Sequence, residues 1–180
     1  HGVLGGSLNI PNSNRNVITG NVIAYVVNLG GEDNVFEGNE ARSRVVVAGA
    51  RNLVQGNSMI GKLTLGGTYN TAKGNTFSPS GIGLAGSHNT VEGNTISTTG
   101  SAVSMYGTSS HTIKDNTISG NQGISVIYSG QETITGNKIA VAGSGISLWG
   151  SCCGTIISGN QITGGSSGIE LNYYSQNNTV

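Results

Sequence analysis

The sequence predicts an all-β solenoid, a parallel β-helix of about eight coils in which three short parallel sheets surround a narrow core. Three observations indicate this fold. A Gly-Asn mark recurs at a nearly regular spacing, apolar residues occupy fixed positions around each mark, and no stretch keeps the 3.6-residue period of a helix. The chain of 180 residues is short enough to be one domain, which we assign to residues 1–180.

The repeat is defined by eight asparagines, each preceded by glycine except where Asp115 takes its place. The intervals between successive asparagines are 18, 18, 18, 19, 22, 21 and 23 residues. The eight asparagines are Asn21, Asn39, Asn57, Asn75, Asn94, Asn116, Asn137 and Asn160. A period of about 20 residues is typical of solenoids, in which each repeat is one supersecondary unit that stacks on the next.

Each repeat contains three short strand patterns. The position three residues before the asparagine is always apolar: Ile18, Phe36, Val54, Ala72, Val91, Ile113, Ile134 and Ile157. The position two residues after it is also always apolar: Ile23, Ala41, Met59, Phe77, Ile96, Ile118, Ile139 and Ile162. A third apolar pair closes each repeat, as in Val103 and Met105. This inside-outside alternation predicts three strands per coil, stacked on the next coil at ~4.8 Å.

The corners of the coil carry the polar repeat residues. A glycine before each asparagine can adopt positive φ, which a sharp corner needs. An asparagine facing inward can bond the asparagine of the next coil, so we expect an asparagine ladder. A second column, five residues earlier, begins as asparagine and continues as His111, Glu132 and Thr155.

Composition excludes several classes of protein. Charged residues make up 9% of the chain and the formal net charge is zero, which argues against a nucleic-acid partner bound through bulk positive charge. No apolar run is long enough to cross a membrane, so we predict no membrane partner. The adjacent Cys152 and Cys153 have no second cysteine pair with which to form a zinc site. We therefore predict no metal and no cofactor, and the redox state of the two thiols stays open.

The repeats resemble those of the right-handed parallel β-helix superfamily, the pectate-lyase-like proteins. The resemblance rests on residues 89–96 (Asn-Thr-Val-Glu-Gly-Asn-Thr-Ile) and residues 133–139 (Thr-Ile-Thr-Gly-Asn-Lys-Ile), and the repeat pattern covers nearly the whole chain. It implies a right-handed parallel β-helix that engages a polysaccharide. The catalytic motifs of the superfamily's pectate lyases, polygalacturonases and alginate epimerases are absent, and the chain is most similar to the body of a bacteriophage tailspike or polysaccharide depolymerase.

The tailspike resemblance implies further properties. Tailspikes are homotrimers, so we expect a homotrimer located extracellularly or on a virion surface. Residues 178–180 restart the repeat motif, and we expect the chain to be a fragment of a longer polypeptide. The function predicted is binding, with or without cleavage, of a bacterial surface polysaccharide. If the protein is an enzyme, it is a hydrolase or a lyase.

The first predicted site is a face rich in aromatic side chains. Aligning the third strands places Tyr106 and Trp149 in one outward column, with Tyr128 and Tyr173 one position further on. Glu170 lies on the same face and is the candidate catalytic carboxylate of this site. Sugar rings stack on such aromatic faces, which also offer polar groups. Contact with a partner subunit, or packing of the aromatics on their own coil, would explain the same pattern.

The second predicted site joins Asp115 and Glu132 with His111 as candidate catalytic groups. A histidine beside a glutamate can act as an acid/base pair. The alternative is a hydrogen-bonded surface pair. No two carboxylates are placed by the repeat as a pair, and the column Glu37, Gln55, Lys73, Glu92 and Lys114 is typical of a solvated charge ladder.

Two other functions are compatible with the repeats. One is a secreted polysaccharide lyase or an enzyme like the alginate epimerases. The other is a structural or ice-binding solenoid, because Thr71, Thr90, Thr112 and Thr133 form an outward column. The charged column beside these threonines would disturb an ordered layer of water.

Overall fold

The computed structural model describes residues 2–150 and 153–180, which form a solenoid of β-strands. No helix occurs in these residues, and so none that could cross a membrane. The strands in chain order are β1 (Val3–Leu4), β2 (Leu8–Ile10), β3 (Val17–Thr19), β4 (Val22–Ile23), β5 (Val27–Glu32), β6 (Val35–Glu37), β7 (Glu40–Ala41), β8 (Val45–Ala50), β9 (Leu53–Gln55), β10 (Ser58–Met59), β11 (Leu63–Thr68), β12 (Thr71–Lys73), β13 (Thr76–Phe77), β14 (Ile82–Leu84), β15 (Thr90–Glu92), β16 (Thr95–Tyr106), β17 (Thr112–Lys114), β18 (Thr117–Ile127), β19 (Thr133–Thr135), β20 (Lys138–Val141), β21 (Ser144–Trp149), β22 (Ile156–Ser158), β23 (Gln161–Thr163) and β24 (Ser167–Asn172).

The strands stack in three rows, and every pairing among them is parallel. Row 1 contains β3, β6, β9, β12, β15, β17, β19 and β22. Row 2 runs from β1 to β23 and row 3 from β2 to β24. The described residues form about nine turns, which confirms the predicted parallel β-helix.

Rows 2 and 3 are not separate sheets, which corrects the prediction of three. Strands β16 and β18 have 12 and 11 residues and continue from row 2 into row 3. They join the two rows into one 16-stranded sheet, while row 1 is a separate sheet of eight strands. The added residues of these longer coils extend the strands across the corner, which the repeat length alone could not distinguish from a loop.

The core is a narrow stack of aliphatic side chains with two phenylalanines, Phe36 and Phe77. Successive coils place equivalent residues against each other, as in Ile96 with Ile118 and Ile118 with Ile139. These side chains are buried, and each buried CH₂ group stabilises the fold by ~0.8 kcal/mol. The predicted apolar columns therefore form the core.

The predicted asparagine ladder lies at the corner between rows 1 and 2, and we call it the first ladder. At Asn57, the backbone N–H and the side-chain Nδ2 both donate to Asn75 Oδ1, each at 2.9 Å. Nδ2 also donates to Phe36 O at 2.8 Å. Each rung thus satisfies buried polar groups of the corner and links two coils.

The residue before each first-ladder asparagine has positive φ. Gly93 and Gly159 have φ values of 61° and 62°, and Asp115 has 56° at the equivalent position. Aspartate tolerates this left-handed conformation better than most residues other than glycine. Asp115 is therefore exposed at a corner, with its side chain over Gly136 of the next coil.

Candidate functional site

The outer face of row 3 carries a column of hydroxyl groups toward its C-terminal end. Ser104, Ser125 and Ser147 are in register on β16, β18 and β21, and Glu170 on β24 follows them. We call these four residues the polar column. It extends along at least four coils, so its groups are spaced at the ~4.8 Å separation of parallel strands.

Beside the polar column lie the four predicted aromatic residues, which we call the aromatic strip: Tyr106, Tyr128, Trp149 and Tyr173. Their exposed fractions are 69%, 60%, 44% and 65%, in that order. The register places Tyr106, Ile127 and Trp149 on successive coils of row 3. The sequence alignment of the third strands therefore places the strip correctly.

The strip consists of two aromatic pairs. Tyr106 and Tyr128 meet edge to face, with ring centroids 5.6 Å apart and an interplanar angle of 83°. Trp149 and Tyr173 are 4.7 Å apart at 35°. Both arrangements are favourable for aromatic rings and limit the freedom of the side chains before any ligand binds.

Gly150 links the two pairs, because the ring of Tyr128 lies directly over it. A Cβ atom on Gly150 would collide with the Tyr128 ring. Gly150 also has a φ of 67°, so this position requires glycine both for its backbone conformation and for the close approach of the Tyr128 ring. Sequence reasoning did not single out Gly150, although its position directly after Trp149 is the signal that could have identified it.

Glu170 lies at the C-terminal end of the polar column, opposite Ser147 of the preceding coil. Hydrogen bonds from Ser167 and Ser144 lower the pKa of the Glu170 carboxyl. The group is therefore ionised at neutral pH and suited to accept hydrogen bonds. This direction is opposite to the raised pKa that a general acid needs.

A shallow groove of about 280 Å³ continues the face toward the N-terminal end, between Lys62 and Tyr106. Its floor includes Gly83, Leu84 and Met105. The Lys62 side chain lies across Gly83, where a Cβ atom would come within 2.9 Å of Lys62 Cε. Lys62 was missed from the sequence, because only the register shows that it reaches the neighbouring coil.

The second predicted site is divided by the fold. Asp115 is exposed at the row 1–row 2 corner, whereas His111 and Glu132 are buried at the row 3–row 1 corner, before β17 and β19. Asp115 therefore lies at the opposite end of the short row 1 strands from the other two. The interpretation of His111 and Glu132 as a surface pair is also wrong, because both side chains are completely buried.

His111 and Glu132 continue a second polar ladder, which begins as Asn16, Asn34, Asn52, Asn70 and Asn89. The Asn89 N–H donates to His111 Nδ1 at 3.1 Å, and the His111 N–H donates to Glu132 Oε2 at 2.6 Å. Burial lowers the pKa of His111 to about 4 and raises that of Glu132 to about 7. Both shifts favour the uncharged side chains, as expected in a low-dielectric interior.

The charged residues of row 1 form a surface ladder, as the sequence predicts. Glu92 lies between two lysines, with Lys73 Nζ at 3.6 Å and Lys114 Nζ at 3.5 Å. These side chains are partly exposed, so each ion pair stabilises the fold by only ~0–1 kcal/mol. Thr90 and Thr112 lie in register on the adjoining column.

Of the two adjacent cysteines, Cys153 is exposed. Cys152 lies outside the described residues. His88 stacks on Tyr69 with ring centroids 4.9 Å apart.

Three rows of parallel strands, an apolar core and two polar ladders define the protein as a parallel β-solenoid. Residues 63–180 match the family described as periplasmic copper-binding protein (NosD), and the chain belongs to this family. No curated protein and no solved structure matches the chain significantly. The family match supports the resemblance to parallel β-helix proteins, while the finer likeness to tailspikes stays a prediction.

The family description makes copper the metal to test against the structure. Copper favours imidazole, thiolate and thioether ligands. Met59 and Met105 are buried in the core, and His111 Nδ1 already accepts a backbone N–H. Within residues 2–150 and 153–180, no group of three or more His, Cys, Asp or Glu side chains could hold a metal ion. The described residues therefore do not fit a copper site.

Proposed function

We propose that the protein binds a polysaccharide along the outer face of row 3, with the aromatic strip and the polar column as the binding surface. The observation that carries this proposal is their register: aromatic rings and hydroxyl groups lie side by side on the same coils. A sugar ring has an apolar face and a rim of hydroxyl groups, so it can use both columns together. The rigid solenoid repeats this arrangement on the successive C-terminal coils of row 3.

The groove between Lys62 and Tyr106 extends the surface by room for roughly one sugar unit. Its volume of about 280 Å³ is just below the ~300–1,000 Å³ usual for ligand sites. A linear polysaccharide that lies along row 3 would contact the groove with one residue and the aromatic strip with the next. An extended ligand thus fits the face better than an isolated monosaccharide.

Binding is favoured over cleavage by the placement of the carboxylates. Glycoside hydrolysis generally uses two carboxyl groups ~5–9.5 Å apart. All eight acidic residues lie in the described part of the chain, and Glu170 alone belongs to the aromatic face. The other seven lie in rows 1 and 2, at corners, or toward the N-terminal end of row 3. We therefore restrict the proposal to recognition of a bacterial surface glycan without hydrolysis.

The location proposed is outside the cytoplasm. The family description reads periplasmic, which agrees with an extracellular or envelope-exposed protein. A virion surface and the homotrimeric state expected from the tailspike resemblance remain predictions. Light scattering on the purified chain measures the number of subunits directly.

The test of the proposed function is binding to an array of bacterial surface polysaccharides, followed by titration calorimetry with the best ligand. We expect the wild type to bind and Tyr128→Ala to lose at least tenfold in affinity. Tyr25→Ala is a matched control, because Tyr25 is 54% exposed but lies outside the strip. A wild type that binds no glycan, or equal losses for the two variants, contradicts the proposal.

A further inference from the structure

In the second ladder, three consecutive rungs have other side chains in place of asparagine. These are His111, Glu132 and Thr155, which we call the ladder break. A regular rung is fully paired. Asn70 Nδ2 donates to Gly49 O at 2.9 Å and to Gly66 O at 2.7 Å, while its Oδ1 accepts from both nitrogens of Asn52. No side chain in the break can reproduce this pattern of two donors and one acceptor in the same geometry.

Each rung of the break contains one buried polar atom without a hydrogen-bond partner. These atoms are His111 Nε2, Glu132 Oε1 and Thr155 Oγ1. All three side chains have an exposed fraction of 0%. Leaving a buried polar group unsatisfied costs ~1–3 kcal/mol, so three such groups in sequence require a physical explanation.

The hydrogen bonds that are present define what these atoms can do. His111 Nδ1 accepts the Asn89 N–H, so the proton of the neutral imidazole lies on Nε2. Nε2 is therefore a buried donor without a partner in the described part of the protein. Glu132 uses Oε2 to accept the His111 N–H, which leaves Oε1 available, and the Thr155 hydroxyl can donate or accept.

We propose that the ladder break is an internal water-binding site, in which one water joins His111 Nε2 to Glu132 Oε1 and a second joins Glu132 Oε1 to Thr155 Oγ1. Successive rungs are separated by ~4.8 Å. Two hydrogen bonds of ~2.8 Å from one water span that separation at a nearly tetrahedral angle. Buried waters in proteins make about three such bonds with groups that would otherwise be unsatisfied.

A cation fits this site poorly. His111 Nε2 carries the proton of the neutral imidazole, and it can become a metal ligand only by losing that proton. Burial raises the pKa of Glu132 to about 7, so the site has no full negative charge to offset a cation near neutral pH. Water accepts from the imidazole N–H and can accept from, or donate to, the neutral Glu132 carboxyl group, so it binds without any change of charge.

In the regular part of the second ladder, the asparagine side-chain amide donates a hydrogen bond to the backbone carbonyl four residues earlier, at the row 3 corner. Asn89 Nδ2 bonds Ala85 O in this way at 3.3 Å. At the break, the waters would take the place of this hydrogen bond. The corresponding residues at the break are Gly107, which follows Tyr106, and Tyr128 itself. The site therefore lies beneath the corner that carries two members of the aromatic strip, although it does not depend on glycan binding.

The experiment is a crystal structure of the wild-type protein at 1.5 Å or better. We expect two ordered waters within hydrogen-bond distance of the three named atoms, and none within the Asn52 rung of the same crystal. Direct hydrogen bonds among the three side chains, with no water between them, would contradict the proposal. So would a metal: a copper-edge anomalous signal at the break after a copper soak would identify a cation site instead.

A variant provides the second measurement. His111→Asn combined with Glu132→Asn and Thr155→Asn restores an unbroken amide ladder, and we expect both waters to disappear. Waters that persist in this variant would belong to the corner backbone, which would overturn the assignment to these side chains. If the triple variant does not fold, His111→Asn alone should remove the first water and leave the second.

Discussion

The backbone N–H of His111 donates to Glu132 Oε2 at 2.6 Å, so a carboxyl group occupies the place that an asparagine amide takes in the coils before it. Both side chains are buried, and burial shifts their pKa values in opposite directions, to about 4 for His111 and about 7 for Glu132. The two residues therefore make the free energy of unfolding depend on pH in opposite directions.

The effect of Glu132 on stability has a defined sign. The folded protein binds the Glu132 proton up to about pH 7, while the unfolded chain loses it near 4.5. Its contribution is therefore fully present below pH 4.5 and is lost as the pH rises to 7. His111 acts in reverse: the unfolded chain binds its proton up to about 6.5 and the folded protein only below about 4, so its contribution is lost as the pH falls.

His111→Asn should reveal the Glu132 dependence. Between pH 4.5 and 6.5 the two effects cancel in the wild type, so its free energy of unfolding should change little. In the variant only the Glu132 dependence remains, so the free energy of unfolding should fall by about 3 kcal/mol from pH 4.5 to 7. Urea unfolding at pH 4.5, 5.5 and 7 measures this, and a pH-independent variant would show that Glu132 is not held in its neutral form.

Glu132→Gln should reveal the opposite slope. Only the His111 dependence remains, so the free energy of unfolding should rise by about 3 kcal/mol between pH 4 and 6.5. Glutamine keeps an oxygen that can accept the His111 N–H, so the fold should be retained. The same urea series serves as the measurement, and a falling slope would mean that the sign of the His111 shift is wrong.

Much of the fold could be predicted because a solenoid repeats its local rules. The apolar residues around Asn94 and Asn116 identify inward positions, and the constant spacing places Tyr106 and Trp149 in one column. Each inference needs only the alternation of strands and a count of residues along the chain. The first ladder and the position of the aromatic strip therefore follow from sequence.

The unpredicted features depend on distances between coils. A histidine and a glutamate in a polar column are compatible with either a surface or an interior corner, and only the packing shows that His111 and Glu132 are buried. The reach of Lys62 across Gly83 and of Tyr128 over Gly150 depends on side-chain conformations in neighbouring coils. Repeat patterns fix which residues are neighbours, but they do not fix these conformations.

The first ladder should be sensitive to a single substitution. Asn94→Ala removes the oxygen that accepts from both the N–H and the Nδ2 of Asn75, at 2.9 and 3.0 Å. The Asn75 N–H loses its partner and Asn75 Nδ2 keeps only its bond to Val54 O, so two N–H hydrogens are unsatisfied and unfolding should become easier by ~2–5 kcal/mol. Asn28→Ala is the control, because its bond to Asn9 is exposed, and it should cost under ~0.5 kcal/mol. Equal unfolding midpoints in urea for the two variants would contradict a stabilising ladder.

Gly150→Ala should disturb the aromatic strip without replacing any side chain in it. The added methyl group collides with the Tyr128 ring, which must move away from its position over residue 150. Alanine at a φ of 67° also carries a backbone cost of roughly 1 kcal/mol.

Gly93→Ala is the control that separates the backbone cost from the collision with Tyr128, since Gly93 has a φ of 61° and no atom within 4 Å of an added Cβ. Both variants should lose similar backbone stability, but only Gly150→Ala should weaken glycan binding in titration calorimetry. If Gly150→Ala binds like the wild type while its crystal structure shows Tyr128 displaced, then Tyr128 does not contribute to the glycan surface.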